Sequence, residues 1–327
     1  RWRFRSRWRS SASNSNAAGM VPRLDWRPRQ RNRLRSPAIG GMSLCSHLHM
    51  CESLSVRRLK RLPGEGCRPG RAGQEQTVQE QTMTYCVGMM LDKGLVLMSD
   101  TRTNSGVDNI SVFRKMFTWS VPGERIITIM TAGNLATTQS VISQLEERNK
   151  APDERRPSVL EEATMFQVAT HVGNLLRTVI ERRQSGPVQG EGARFTATMI
   201  VAGQIRGGEP RLFMIYPEGN FIEASFDTPF FQIGETKYGR PILLRGYDKG
   251  LDFEQAIKLL MVSFDSTVAA NLSVGLPFDL MVIERDTFAP LHQRRIRADD
   301  PYFKAISSGW SEALRNAFHQ LPDYSFD

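Results

Sequence analysis

The familiar catalytic constellations are missing from this sequence. It contains no Gly-x4-Gly-Lys phosphate loop and no His-Glu-x-x-His helix. The nearest approach to a nucleophile elbow, Asn271-Leu272-Ser273-Val274-Gly275, lacks the first glycine. Beyond residue 83 the histidines are His171, His292 and His319, far apart and with no carboxylates spaced to complete a triad. Cys86 stands inside an apolar run and reads as a small core residue rather than a nucleophile. What remains is Met83-Thr84. Removal of Met83, which the small side chain of Thr84 permits, would leave a hydroxyl and a free α-amine on one residue. An ordinary α-amine has a pKa of about 8, so a useful neutral fraction exists near neutral pH. It can take the hydroxyl proton directly or through water, and no histidine is required.

Such a nucleophile has to be held by something. Two apolar runs, Tyr85 to Leu91 and Leu95 to Ser99, flank Asp92-Lys93-Gly94 and predict a hairpin. With all three residues in the loop, Leu91 stands opposite Leu95, Cys86 opposite Asp100 and Thr84 opposite Arg102. Thr84 and Asp100 then lie diagonally on one face. A register one residue different would put them on opposite faces.

Further along, Arg125 to Met130 reads as a strand ending at Thr131-Ala132-Gly133. Helical spacing follows at Leu135, Thr138, Ile142 and Leu145, and again at Val168, Val172, Leu175, Leu176 and Val179. Gln184 to Gly192 is polar and contains glycine. Strands are expected at Phe195–Ala202, Leu212–Tyr216, Phe221–Ser225 and Phe230–Ile233. Helices follow over Lys237–Arg245 and around Phe253, Ala256, Ile257 and Leu260. Strands return at Leu280–Ile283 and Leu291–Ile296, and Trp310, Leu314 and Phe318 suggest a short last helix. Strands, two helices, strands, two helices, strands is not βαβ alternation. It fits an α+β fold, a four-layer αββα sandwich of two antiparallel sheets flanked by helices.

Composition divides the chain at Met83. Residues 1–82 carry 17 Lys and Arg against 5 Asp and Glu, whereas the remainder carries 26 against 29. The basicity of the whole, a formal net charge of +9, therefore belongs to the first quarter. That segment has no sustained period and buries too little apolar surface to offset chain entropy. Its Arg and aromatics at Trp2, Phe4 and Trp8 have the types that bind nucleic acid. The reading preferred here is a disordered extension, or translated DNA upstream of the true start. Cys45, His47, His49 and Cys51 are zinc-ligand types, but their period of two and the lack of a second pair do not suit a zinc site. Residues 83–327 form one domain of about 245 residues, enough for a large core. With Cys86 its lone cysteine it fits a reducing cytoplasm, and no apolar run is long enough for a membrane helix.

The opening block TYCVGMMLDKGLVLMSDTRTNSG, residues 84–106, resembles the start of a proteasome β subunit. VDNISVFRKM, residues 107–116, narrows the resemblance to Anbu, the bacterial ancestral β subunit. The resemblance runs from Met83 to the C-terminus. It implies an N-terminal-nucleophile hydrolase with Thr84 as nucleophile, Asp100 holding the catalytic lysine, and Lys115 as that lysine, one residue nearer Asp100 than in ordinary β subunits. It further implies Gly133 as the oxyanion N–H and Ser273 as the serine near the Thr amine. Two positions depart from the pattern. Glu235, in Gly234-Glu235-Thr236, replaces the usual accessory serine, and Ala270 replaces an acid, with Asn271 beside it.

The expected activity is thus threonine-type hydrolysis of an amide or peptide substrate by a homo-oligomer in a bacterial cytoplasm, with no metal, cofactor, membrane or nucleic acid in the mature form. No regulatory ATPase is named by the sequence. The competing reading is a non-catalytic assembly module on the same fold, and a nucleic-acid-binding protein is a third that would need the Arg-rich segment retained.

Overall fold

The computed structural model describes residues 84–104, 110–150, 158–185 and 195–326. The readings placed on residues 1–82, including the Cys45–Cys51 cluster, lie outside the described residues, as does most of the polar stretch after Gln184.

One five-stranded antiparallel sheet has the order β10-β1-β2-β11-β12. Its strands are β1 (Tyr85–Leu91), β2 (Gly94–Asp100), β10 (Phe230–Gly234), β11 (Phe278–Glu284) and β12 (Pro290–Ile296). The second runs β5-β6-β7-β8-β9: Met116–Val121, Arg125–Gly133, Ala197–Ile205, Arg211–Ile215 and Phe221–Glu223. A two-stranded ribbon, β3 (Arg102–Asn104) with β4 (Ile110–Val112), stands apart from both.

Three apolar layers hold these parts together. Cys86, Leu95, Leu97 and Met281 of the first sheet meet Ile126, Met130, Ile200 and Leu212 of the second. The opposite face of the first sheet, with Val87, Met98, Leu280 and Val282, is covered by α3 (Arg240–Gly246), α4 (Phe253–Ala270) and the start of α5 (Pro301–His319). The outer face of the second packs on α1 (Leu135–Lys150) and α2 (Met165–Gln184). The fold is the four-layer αββα sandwich expected from element order. Side chains cap helix starts: Thr164 accepts the Gln167 N–H on α2, Asp252 and Gln255 form a reciprocal capping box on α4, and Asp300 accepts the N–H groups of Tyr302 and Phe303 on α5. The last helix is not short but 19 residues long.

The hairpin register needs correction. Its loop is Asp92-Lys93 alone, and Leu91 pairs with Gly94 and Cys86 with Ser99. Gly94 leaves the loop for β2, where it faces Leu91 at φ +148° and a Cβ would run into the Ile283 carbonyl oxygen, so a glycine there lets the strands close after two residues. The consequence is that Asp100 belongs to the series with Val96 and Met98, under α4, while Thr84 continues the alternation of Cys86 and Gly88 toward the second sheet. The same-face diagonal between Thr84 and Asp100 does not form.

Candidate active site

Asp100 and Thr84 are nevertheless neighbours, by a different route. The β1–β2 ladder ends at Cys86 and Ser99. Beyond it the Asp100 carboxylate takes over: Oδ1 accepts the main-chain N–H of Tyr85 at 3.0 Å. The side chain thus replaces a ladder carbonyl at the residue next to Thr84. Oδ2 accepts the N–H of Arg102 at 3.2 Å, and the Gly275 N–H also donates to this carboxylate.

Lys115 completes the arrangement. After Asp100 the chain leaves along β3 and returns along β4, with the Phe113 N–H on the Thr101 carbonyl at 2.8 Å. This return brings Lys115 back to Asp100, Nζ to Oδ1 at 2.8 Å, with a second bond from Nζ to the Arg102 carbonyl at 2.6 Å. Both side chains are out of water, Lys115 at 4% exposure and Asp100 at 0%. Burial raises the Asp100 pKa above the usual carboxylate value; the Lys115 charge and the N–H donors act against that rise.

The same strand entry ties the pair to the second sheet. The Lys115 carbonyl accepts the Thr131 N–H at 3.0 Å, and Thr131 is two residues from Gly133 at the end of β6. Gly133 pairs with Ala197 at φ +107°, and a Cβ there would stand 2.6 Å from the Thr196 carbonyl oxygen. Only glycine fits.

Thr84 is 4% exposed, and its carbonyl accepts the N–H of Glu235 at 2.6 Å. The strands come so close here that a Cβ on Gly234, at φ +86°, would lie 2.6 Å from the Thr84 carbonyl carbon and closer still to its oxygen. Tyr85, next in the chain, is fixed at its far end too. Its hydroxyl bonds to Ser263 Oγ at 2.7 Å and accepts from Gln232 Nε2 at 2.5 Å, and its ring lies 4.5 Å from that of Phe264. Burial pushes this phenol up to about 12.

Ser273 sits in the turn from α4 to β11, with its N–H on Asn271 Oδ1 at 2.9 Å. That turn is fastened to the Asp100 segment by Arg102 to the Leu272 carbonyl (2.8 Å) and Thr101 Oγ1 to the Pro277 carbonyl (2.7 Å). One departure from the pattern, Glu235, is bonded here to Asn271, the neighbour of the other. Glu235, 3% exposed, accepts from Asn271 Nδ2 at 3.0 Å and from the Lys237 N–H at 3.1 Å, while Ala270 is exposed. Cys86 is fully buried, its thiol pushed well above the ordinary value by burial and then by the Asp100 charge. A thiol so disfavoured as thiolate is no nucleophile at neutral pH.

Sequence reasoning missed the Tyr85–Ser263–Gln232 cluster and the part played by Gly275. One signal existed: a tyrosine on the apolar face of β1 needs a hydrogen-bond partner for its hydroxyl. No helix among the described residues is long and apolar enough to cross a membrane.

A family model described as "Proteasome subunit" matches residues 81–283. The solved Anbu (ancestral beta-subunit) of Yersinia bercovieri is 46% identical, with a TM-score of 0.69 over 74% of this chain and 100% of that one. The helical assembly of the Anbu complex from Pseudomonas aeruginosa is 45% identical, with a TM-score of 0.70 over 74% of this chain and 99% of that one. The proteasome subunit beta of Haloferax volcanii is 24% identical over 66% of this chain and 79% of its own length.

Proposed function

This chain belongs to the proteasome-subunit family, within its Anbu branch, and on that premise we propose that it is a threonine-type amide hydrolase whose working form begins at Thr84 once Met83 is removed. Thr84 Oγ adds to the amide carbonyl carbon of the substrate while the α-amine takes the hydroxyl proton. The C–N bond then breaks, the departing nitrogen receives that proton, and an ester to Thr84 remains. Water adds to the ester, again losing a proton to the α-amine, and the Thr84–acyl bond breaks as Oγ regains a proton. Lys115 supplies positive charge that lowers the hydroxyl pKa, and Asp100 holds Lys115 in place. The Gly133 N–H stabilises the oxyanion, and Ser273 hydrogen-bonds near the amine. The substrate is a peptide or another amide, and the protein works as a homo-oligomer in a bacterial cytoplasm.

The observation that carries this reading is the buried Lys115–Asp100 pair with the Asp100 carboxylate on the Tyr85 N–H. An ion pair this deep is costly to desolvate and is weakly justified by stability alone. The second reading, an assembly module without catalysis, is favoured by one feature, the buried Glu235 at the nucleophile. Adduct mass after treatment with an N-terminal-Thr-directed electrophile separates the two. In protein starting at Thr84, wild type gains the adduct on its first residue, Thr84→Ala gains none, and Thr84→Ser retains part of it. Labelling of Thr84→Ala would assign the chemistry elsewhere, and an unlabelled wild type with a free Thr84 would favour the assembly module.

A further inference from the structure

Among the described residues no cation is paired with the Glu235 carboxylate. It is 3% exposed, and the donors it meets are the neutral Asn271 amide and the Lys237 main-chain N–H. The Lys237 side chain is exposed. A buried carboxylate without a counter-ion is expensive. Its own N–H is bonded to the Thr84 carbonyl, so the two residues are adjacent. Within one residue the nitrogen and carbonyl oxygen are only about 3–4 Å apart. We propose that Glu235 is the counter-ion of the Thr84 α-amine, and that by favouring the ammonium it sets the lower pH limit of the reaction.

This rests on the proposal that Thr84 is the first residue of the working chain. The other charged or titratable groups packed around Thr84 are accounted for. Asp100, from β2, and Lys115, leading into β5, neutralise each other at 2.8 Å. The Arg102 guanidinium is held on the Leu272 carbonyl at the α4–β11 turn, which otherwise presents the neutral Asn271 and Ser273. Cys86, from β1, is a neutral thiol, and the Tyr85 phenol is turned away to Ser263 under α4. Among the described residues Glu235 is thus the carboxylate packed here that has no cation, and Arg102 the cation whose bond is to a neutral carbonyl. The contact on which this rests is between main chains, the Glu235 N–H on the Thr84 carbonyl; a carboxylate that reaches from there to within about 4–6 Å of the amine favours the charged form by about 1–3 pH units. The amine is then mostly ammonium at neutral pH, and only the neutral fraction accepts the Thr84 proton.

The test reads the amine itself rather than catalysis. The pH dependence of α-amine acetylation by trace acetic anhydride is followed by mass of the N-terminal peptide, in protein beginning at residue 84. That span is a foldable unit, since the whole Yersinia chain is matched by 74% of this one. The wild-type midpoint should lie above the ordinary value of about 8. Glu235→Gln, nearly isosteric, should lower it by about one unit, and Glu235→Asp, which keeps the charge, should lower it less. Thr84→Ala retains the amine and Glu235, so its midpoint should stay high although electrophile labelling is lost. Equal midpoints in wild type and Glu235→Gln would overturn the proposal. If Glu235→Gln does not fold, a wild-type midpoint at or below about 8 overturns it. Failure of electrophile labelling with a high, Glu235-dependent midpoint would instead sink the hydrolase reading alone.

Discussion

Gly234→Ala puts the positioning of Thr84 to a direct test. Two costs can be worked out separately. Alanine at φ +86° is in the left-handed region, which costs roughly 1–2 kcal/mol. The added Cβ would also lie 2.6 Å from the Thr84 carbonyl carbon, where real Cβ atoms do not come within 3.0 Å. The atoms it meets are Thr84 backbone, so no flexible side chain can yield. The strands must part by about 1 Å, and the Glu235 N–H to Thr84 carbonyl bond goes with them, at about 1 kcal/mol more. The total, roughly 2–3 kcal/mol, is survivable for a domain of ordinary stability of about 5–15 kcal/mol. A displacement of about 1 Å at a reacting group, however, costs on the order of 100-fold in rate. Gly207→Ala is the matched control, because Gly207 sits at φ +85° with nothing within 4 Å of the added carbon. The measurement is the rate of electrophile labelling at Thr84, with thermal melting of each variant alongside. Gly207→Ala should lose only the roughly 1–2 kcal/mol of the backbone conformation and label normally. Gly234→Ala should melt lower and label about 100-fold more slowly. A folded Gly234→Ala that labels at the wild-type rate would refute the claim that β10 positions Thr84.

Two more outcomes follow from the buried charges. Lys115→Met leaves the Asp100 carboxylate without its counter-ion, at a cost of about 3–5 kcal/mol. With the folded Asp100 pKa raised, the native state binds the extra proton, so denaturant melts of this variant should regain stability as the pH falls toward the ordinary carboxylate range and lose it as the pH rises through the folded value. A deficit independent of pH would show that the loss is packing. Tyr85 gives the alkaline counterpart. Its phenol is raised to about 12, so its contribution is intact below the ordinary value of about 10 and is lost as the pH rises through about 12. At 1.36 kcal/mol per unit the ceiling is about 3 kcal/mol. Tyr85→Phe should flatten that limb in chemical unfolding, leaving the share of Tyr247, whose phenol is also raised to about 12. An unchanged alkaline limb would count against burial of the Tyr85 hydroxyl.

What the sequence makes legible, and what it hides, follows from chain distance. Thr84, Asp100 and Lys115 are close in sequence and belong to one hairpin and the return that follows it, so local period and spacing bring them together. Even so, the contact is made by another means than the expected one. The two-residue turn puts Thr84 and Asp100 on opposite faces, and a carboxylate at the ladder's end reaches the main chain instead. A main-chain bond does not depend on which face a side chain occupies, which is why an incorrect register still led to the right neighbours. The remaining supports come from remote elements: Gln232 and Ser263 meet Tyr85 across 147 and 178 residues, and Asn271 meets Glu235 across 36. Periodicity gives each of these elements its type but not its partner, because pairing is decided by the packing of α4 on the first sheet. The same division bears on the chemistry. Lys115 is bonded to the Thr131 N–H of the second sheet, while Thr84 is held by β10 of the first. Thr84 and Gly133 therefore come from different sheets, and their spacing depends on the apolar layer between them. The Lys115–Asp100 pair spans that layer at its end. Its cost in desolvation is then understandable as the fixing of one sheet against the other at the point where a substrate carbonyl would have to fit between Thr84 and Gly133.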